Sequence, residues 1–138
     1  MRLALTPRYA LGACLLLAVE LVIGLYMHDR FIRPFVGDLL VVWLIFFLCR
    51  SLLITSWPRL LLAVWLFCCA VEFGQYWRLV EVLHLEQVPL ARIVIGATFD
   101  GNDLLAYTLG ALSLYTLLRF QQHRSSPRHR QAASPSIK

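Results

Sequence analysis

The chain has 138 residues, 59% of them hydrophobic and 15% charged, and its mean hydropathy is +0.68. Soluble domains carry about 45–50% apolar and about 25% charged residues, so this composition excludes a soluble globular domain and indicates an integral membrane protein. The net charge of +5 and pI near 9.4 would suit nucleic acid if the charge were gathered on one folded surface, which its distribution along the chain argues against.

A helix crossing roughly 30 Å of hydrocarbon needs about 20 mostly apolar residues. Four windows meet that length, 9–27, 36–54, 59–77 and 102–120. They predict an all-α membrane protein, a four-helix transmembrane bundle within residues 1–120. The first window follows Arg2 and Arg8, as a secretory signal would. Its apolar run is long for a signal, contains Glu20, and reaches Tyr26-Met27-His28 without a small-residue cleavage site, so it is expected to remain as the first span.

Spans 1 and 2 are joined by HDRFIRPF, where Pro34 is expected to hold Arg33 out of helical geometry. Spans 2 and 3 are joined by Thr55-Ser56-Trp57-Pro58, a connection short enough to force an antiparallel hairpin, and Pro58 suits the first turn of the next helix. The connection 78–101 has apolar residues at 79, 80, 82, 83 and 85, with Arg78, Glu81, His84 and Gln87 at intervals of three. That pattern predicts an amphipathic helix on the membrane surface, ended by Pro89. The following RIVIGATFDG is β-branched and punctuated by glycine, and it predicts an irregular outer segment over the bundle mouth. Residues 121–138, QQHRSSPRHRQAASPSIK, are basic and rich in Pro and Ser and are expected to form a disordered cytoplasmic tail.

Four spans place both termini on one side. That side holds nine basic residues, Arg2, Arg8, Arg50, Arg59, Arg119, Arg124, Arg128, Arg130 and Lys138, and the other holds four, Arg30, Arg33, Arg78 and Arg92. The positive-inside rule then makes both termini cytoplasmic. All eight acids, Glu20, Asp29, Asp38, Glu72, Glu81, Glu86, Asp100 and Asp103, fall in the outer half of a span or in an outer loop. Such a separation implies membrane orientation and contact with anionic lipid at the cytoplasmic leaflet, with no nucleic-acid partner. Cys14, Cys49, Cys68 and Cys69 lie within spans and lack Cys-x-x-Cys spacing. They read as small packing residues, and no metal or cofactor is expected.

Charged groups in a span cost roughly 2.5–3.5 kcal/mol on insertion scales, so each calls for a partner or an aqueous cavity. Glu20 lies seven residues before Met27, about 10 Å below the outer surface. Glu72 lies five before Trp77, about 7 Å deep. Asp38 and Asp103 are expected to open their helices at the outer rim. Glu72 shares a helix face with Gln75, and Asp103 with Tyr107. Ala106, Gly110 and Ser113 form a small-residue seam for close helix approach. Together these residues predict an acid-lined pocket open to the outside. Plainer readings compete: Asp38, Asp100, Asn102 and Asp103 sit where carboxylates and amides cap helix starts, the larger share for Asp38 and an even one for Asp103. Glu20 and Glu72 are mid-helix, where an ion pair with Arg33 or Arg92 weighs equally with function.

The stretches RPFVGDLLVVW (33–43), EFGQ (72–75) and GATFDGNDLLAYTLG (96–110) together resemble an uncharacterised, domain-of-unknown-function family of small bacterial inner-membrane proteins. More distantly, the Glu-x-x-Gln ending one helix, a later Arg, and an Asp opening the last helix before a glycine resemble the VanZ-like membrane proteins, known for a link to glycopeptide resistance. The resemblance covers roughly residues 8–118 and marks Arg33, Gly37, Asp38, Glu72, Gln75, Arg92, Gly96, Asp100, Asp103, Tyr107 and Gly110. Tyr107 stands where VanZ-like proteins usually have Asn. The expected function is an outward-facing site, drawn from Glu20, Arg33, Asp38, Glu72, Gln75, Arg92, Asp100, Asp103 and Tyr107, for an envelope precursor or lipid head group. Its core would be Glu72, Gln75, Arg92 and Asp103. The alternatives are a proton- or cation-coupled transporter and a membrane assembly factor. A hydrolase is least supported, since no Ser-His-Asp, Cys-His or metal-ligand pattern is visible.

Overall fold

The structure, a computed structural model, describes residues 2–3, 5–27, 29, 32–77, 87 and 100–125. The expected surface helix, Pro89, Arg92 and the 126–138 part of the tail fall outside the described residues. Four helices are present among the described residues: α1 (Pro7–Tyr26), α2 (Ile32–Leu52), α3 (Trp57–Tyr76) and α4 (Gly101–Ser125). The first three are long and apolar enough to cross a membrane, and they are apolar on every side, the pattern of helices that face lipid as well as protein. Proline in the first turn starts α1 and α3, where its missing N–H would have no intrahelical partner in any case.

Two boundaries differ from expectation. α2 begins at Ile32, so Arg33 and Pro34 are both helical. Proline is accommodated within a first turn, because the donor it lacks is already an orphan there. Asp38 is then nearly two turns inside α2 and cannot cap it. α4 continues to Ser125, so residues 121–125 of the expected tail are helical. The guanidinium of Arg124 lies 4.5 Å from the Phe120 ring centroid one turn earlier, and His123 and Arg124 in the last turn favour the negative end of the helix dipole.

Named contacts fix the helix directions. Gly12 lies against the Phe47 ring, and Thr6 N–H donates to Ser51 O at 2.8 Å, so α1 runs antiparallel to α2. Tyr107 meets Asp38, and Trp43 meets Gly110 and Ser113, so α4 runs parallel to α2. Glu72 meets Asp100, Trp65 meets Thr108, and the Trp57 and Tyr115 rings lie 5.5 Å apart, tilted by 52°, so α3 opposes α4. The buried core joins Val42 and Phe46 of α2, Leu60, Leu61, Val64 and Cys68 of α3, and Tyr107 and Leu114 of α4. Helix α1 is peripheral, with Ala13 its buried residue.

Sequence reading gave no sign of one further contact. A two-residue strand β1 (Arg2–Leu3) pairs antiparallel with β2 (Leu53–Ile54), which ties the segment before α1 to the α2–α3 hairpin. Arg50 fastens the same corner by donating to Thr55 O and lying 5.5 Å from the Tyr9 ring. The helices thus acquire a basic end, with Arg8, Arg50, Arg59, Arg119 and Arg124, and an acidic end, with Asp29, Asp38, Glu72, Asp100 and Asp103.

Candidate functional site

At the acidic end, Glu72 is fully buried, with none of its surface exposed. Its Oε1 accepts the backbone N–H of Asp100 at 2.8 Å. Asp100 in turn caps α4: its Oδ1 accepts the Asn102 N–H at 2.9 Å and the Asn102 side-chain amide at 3.0 Å. One carboxylate on α3 therefore anchors the residue that starts α4, and the other carboxylate satisfies the orphan amide. The second oxygen of Glu72, Oε2, is buried and has no hydrogen-bond partner. Leaving such an atom unpaired costs about 1–3 kcal/mol, more when charged.

Near Glu72 stand acids of the two neighbouring helices. Asp38 and Asp103 lie close together, and both lie within electrostatic range of Glu72. Tyr107, 8% exposed, points its hydroxyl at Asp38 Oδ1 over a long 3.5 Å. Asp38, Glu72, Asp103 and Tyr107 therefore meet at one place, with Asp100 at its edge.

The cluster is held in register by a tight α2–α4 crossing just below it. A Cβ at Gly110 would lie 2.5 Å from Leu39 O, so only glycine allows this approach. Trp43 Nε1 donates to Gly110 O at 2.9 Å and to Ser113 Oγ at 3.2 Å across the same seam. Ala106 and Gly110 of the predicted small-residue seam are both buried there.

The remaining candidates are placed apart from this cluster. Gln75 is half-buried one turn beyond Glu72. Glu20 and Arg33 line a separate cleft between α1 and α2, which Asp38 also lines. Arg92, the expected partner of Glu72, lies outside the described residues. The Asp100 N–H, the partner that is seen, was missed because a backbone donor leaves no mark in a sequence.

Three apolar spans and an acid-rich helix end define a membrane-embedded protein. Over residues 27–111 the sequence matches the family described as "Protein of unknown function (DUF2809)"; this is more than half of the chain, and the protein belongs to that family. No curated protein and no solved structure matches it. The matched segment contains Asp38, Glu72, Asp100, Asp103 and Tyr107, and it begins at the C-terminal end of α1.

Proposed function

We propose that this is a bacterial inner-membrane protein with both termini cytoplasmic and α4 as a fourth span of a helix bundle. Its acidic end faces outward and binds the cationic part of an envelope ligand or lipid head group. The observation that carries the reading is the unpartnered, fully buried Oε2 of Glu72, on a residue within electrostatic range of Asp38 and Asp103. A bound cation with N–H donors would satisfy that oxygen and offset the repulsion among the acids.

The fourth span is supported by length and by internal pairing. Its 25 residues extend about 37 Å. The hydroxyls of Thr108, Ser113 and Thr116 donate to Leu104 O, Gly110 O and Ser113 O of the same helix, which lowers the cost of placing them in hydrocarbon. Orientation rests on the arginines gathered at the opposite end. The likeness to VanZ-like proteins in 33–43, 72–75 and 96–110 favours an envelope ligand. A proton or cation carrier is the weaker reading, because Val42, Phe46, Val64 and Leu114 fill the space below the cluster with apolar side chains.

The test is thermal stabilisation of purified protein in detergent by primary amines and amine-bearing envelope precursors. Stabilisation is expected for the native protein, is abolished in Asp103→Asn and persists in Asp100→Asn, because Asn at position 100 still caps. Equal loss of folded protein in the two variants would reduce these carboxylates to helix-start chemistry.

A further inference from the structure

Beside the carboxylate cluster, a cleft of about 750 Å³ opens between the acidic ends of α1 and α2. Arg33 stands on its α2 side, with Asp38 deeper on the same helix, and Glu20 and Gly24 form the α1 wall. Arg33 is folded across the cleft toward α1: its Nη2 lies 3.7 Å from where a Cβ at Gly24 would be. Glu20 is one turn deeper than Gly24 on the same face. Its Oε1 is buried and has no hydrogen-bond partner. Glu20 is among the residues that line the cleft, and the last torsion of a Glu side chain is soft, so its carboxylate can reorient toward a ligand there.

Building on the outward-facing acidic site proposed above, the geometry points to a zwitterionic phosphoethanolamine group as the ligand, its phosphate on Arg33 and its primary ammonium between Glu20 and Asp38. Four observations select this chemistry. The cleft carries both signs of charge, with Arg33 and Asp29 toward its mouth and Glu20 and Asp38 deeper. Its volume falls within the roughly 300–1,000 Å³ of small-molecule sites, far more than one ion needs. Among the described residues no group of His, Cys, Asp and Glu is arranged to hold a metal. No aromatic ring is among the described residues that line it, whereas quaternary ammonium groups are recognised by aromatic cages. An ammonium with N–H donors matches carboxylates, and a choline does not. Leu21, Val22 and Leu25 of α1 are exposed at this depth, which offers acyl chains an apolar flank.

The experiment uses the full chain in detergent, titrated with dihexanoyl phosphatidylethanolamine, phosphatidylcholine or phosphatidylglycerol. Two further titrations use soluble glycerophosphoethanolamine and ethylammonium, and thermal stability is the readout. Phosphatidylethanolamine is expected to act at concentrations at least tenfold lower than the other two lipids. Glu20→Gln and Arg33→Gln should each weaken it tenfold or more, while Arg33→Lys retains part of the effect. Greater potency of the lipid than of glycerophosphoethanolamine assigns the ligand to the membrane, and the reverse assigns it to a soluble zwitterion; both support the phosphoethanolamine group. Equal potency of the three lipids overturns it, as does an Arg33→Gln variant that binds normally. If ethylammonium stabilises the protein through Asp103 while the head groups are not distinguished, this inference fails and the acidic-site reading stands. If neither amines nor lipids stabilise it, both fail.

Discussion

Replacing Gly110 by alanine tests the contact that sets the depth of the carboxylate cluster. The new Cβ would stand 2.5 Å from Leu39 O, and ordinary contact begins at 3.4 Å, so α2 and α4 must part by about 0.9 Å there (3.4 − 2.5). A gap of that size forfeits about a quarter to a half of the dispersion energy of the atoms along the seam. The Trp43 Nε1 bond to Gly110 O, now 2.9 Å, would stretch beyond hydrogen-bonding range. Overpacking costs about 1–3 kcal/mol and the lost bond about 0.5–1.5, while alanine regains about 1 kcal/mol of helix propensity. The net loss is then about 2 kcal/mol, roughly a thirty-fold fall in the ratio of folded to unfolded protein. Reversible unfolding in mixed micelles, followed by circular dichroism, measures it. Gly37→Ala is the control, because a Cβ there meets nothing within 4 Å and should leave stability unchanged or raise it by about 0.4–1 kcal/mol. If Gly110→Ala proved as stable as Gly37→Ala, the close crossing would be wrong, and with it the position of Asp103 beside Asp38.

Glu72→Gln keeps an oxygen to accept the Asp100 N–H and should change stability by less than about 1 kcal/mol, whereas Glu72→Ala removes the acceptor and leaves a void, for a further loss of about 2 kcal/mol; equal losses in the same micelle assay would mean that Glu72 does not anchor α4. Alkaline phosphatase fused after Gly101 should be active and fused after Ser125 inactive, and the opposite pattern would reverse every statement about the face on which the acids lie. Trp43→Phe removes the one N–H donor shared by Gly110 O and Ser113 Oγ at about 1 kcal/mol; a change below the error of the unfolding measurement would show that the indole N–H does not hold the seam.

The arrangement at the acidic end makes the structural roles separable from the proposed binding roles. Glu72 Oε1 is committed to the start of α4, while Oε2 is not bonded. Asp100 is committed to its own helix through the Asn102 amide. Asp38 carries no capping duty, since it lies inside α2, and it belongs to both the cluster and the α1–α2 cleft. On the binding proposed above, substitutions at Asp38 should disturb both regions, whereas those at Glu20 should disturb only the cleft.

Length and hydropathy over about 20 residues determined from sequence alone that the protein is helical and membrane-embedded, because the requirement to satisfy backbone groups in lipid is local to each segment. The sequence also marked Glu72, Asp103 and Tyr107 as polar groups needing an explanation, and Ala106 and Gly110 as a face for close approach, since i, i+3 and i, i+4 spacing is a property of one helix. Only the tertiary structure decided which faces meet. Helices that are apolar all round have no amphipathic stripe to announce their inner side, so the rotation of α2 that brings Asp38 to Asp103, and Leu39 to Gly110, follows from the fit between helices. The start of α2 at Ile32 belongs to the same class: Pro34 is compatible locally with a helix start or with an extended linker. The structure chose the helix and so turned Asp38 from a cap into an interior carboxylate. The Asp100 N–H that holds Glu72 comes from a backbone 28 residues away, a partner that no pattern of side chains encodes.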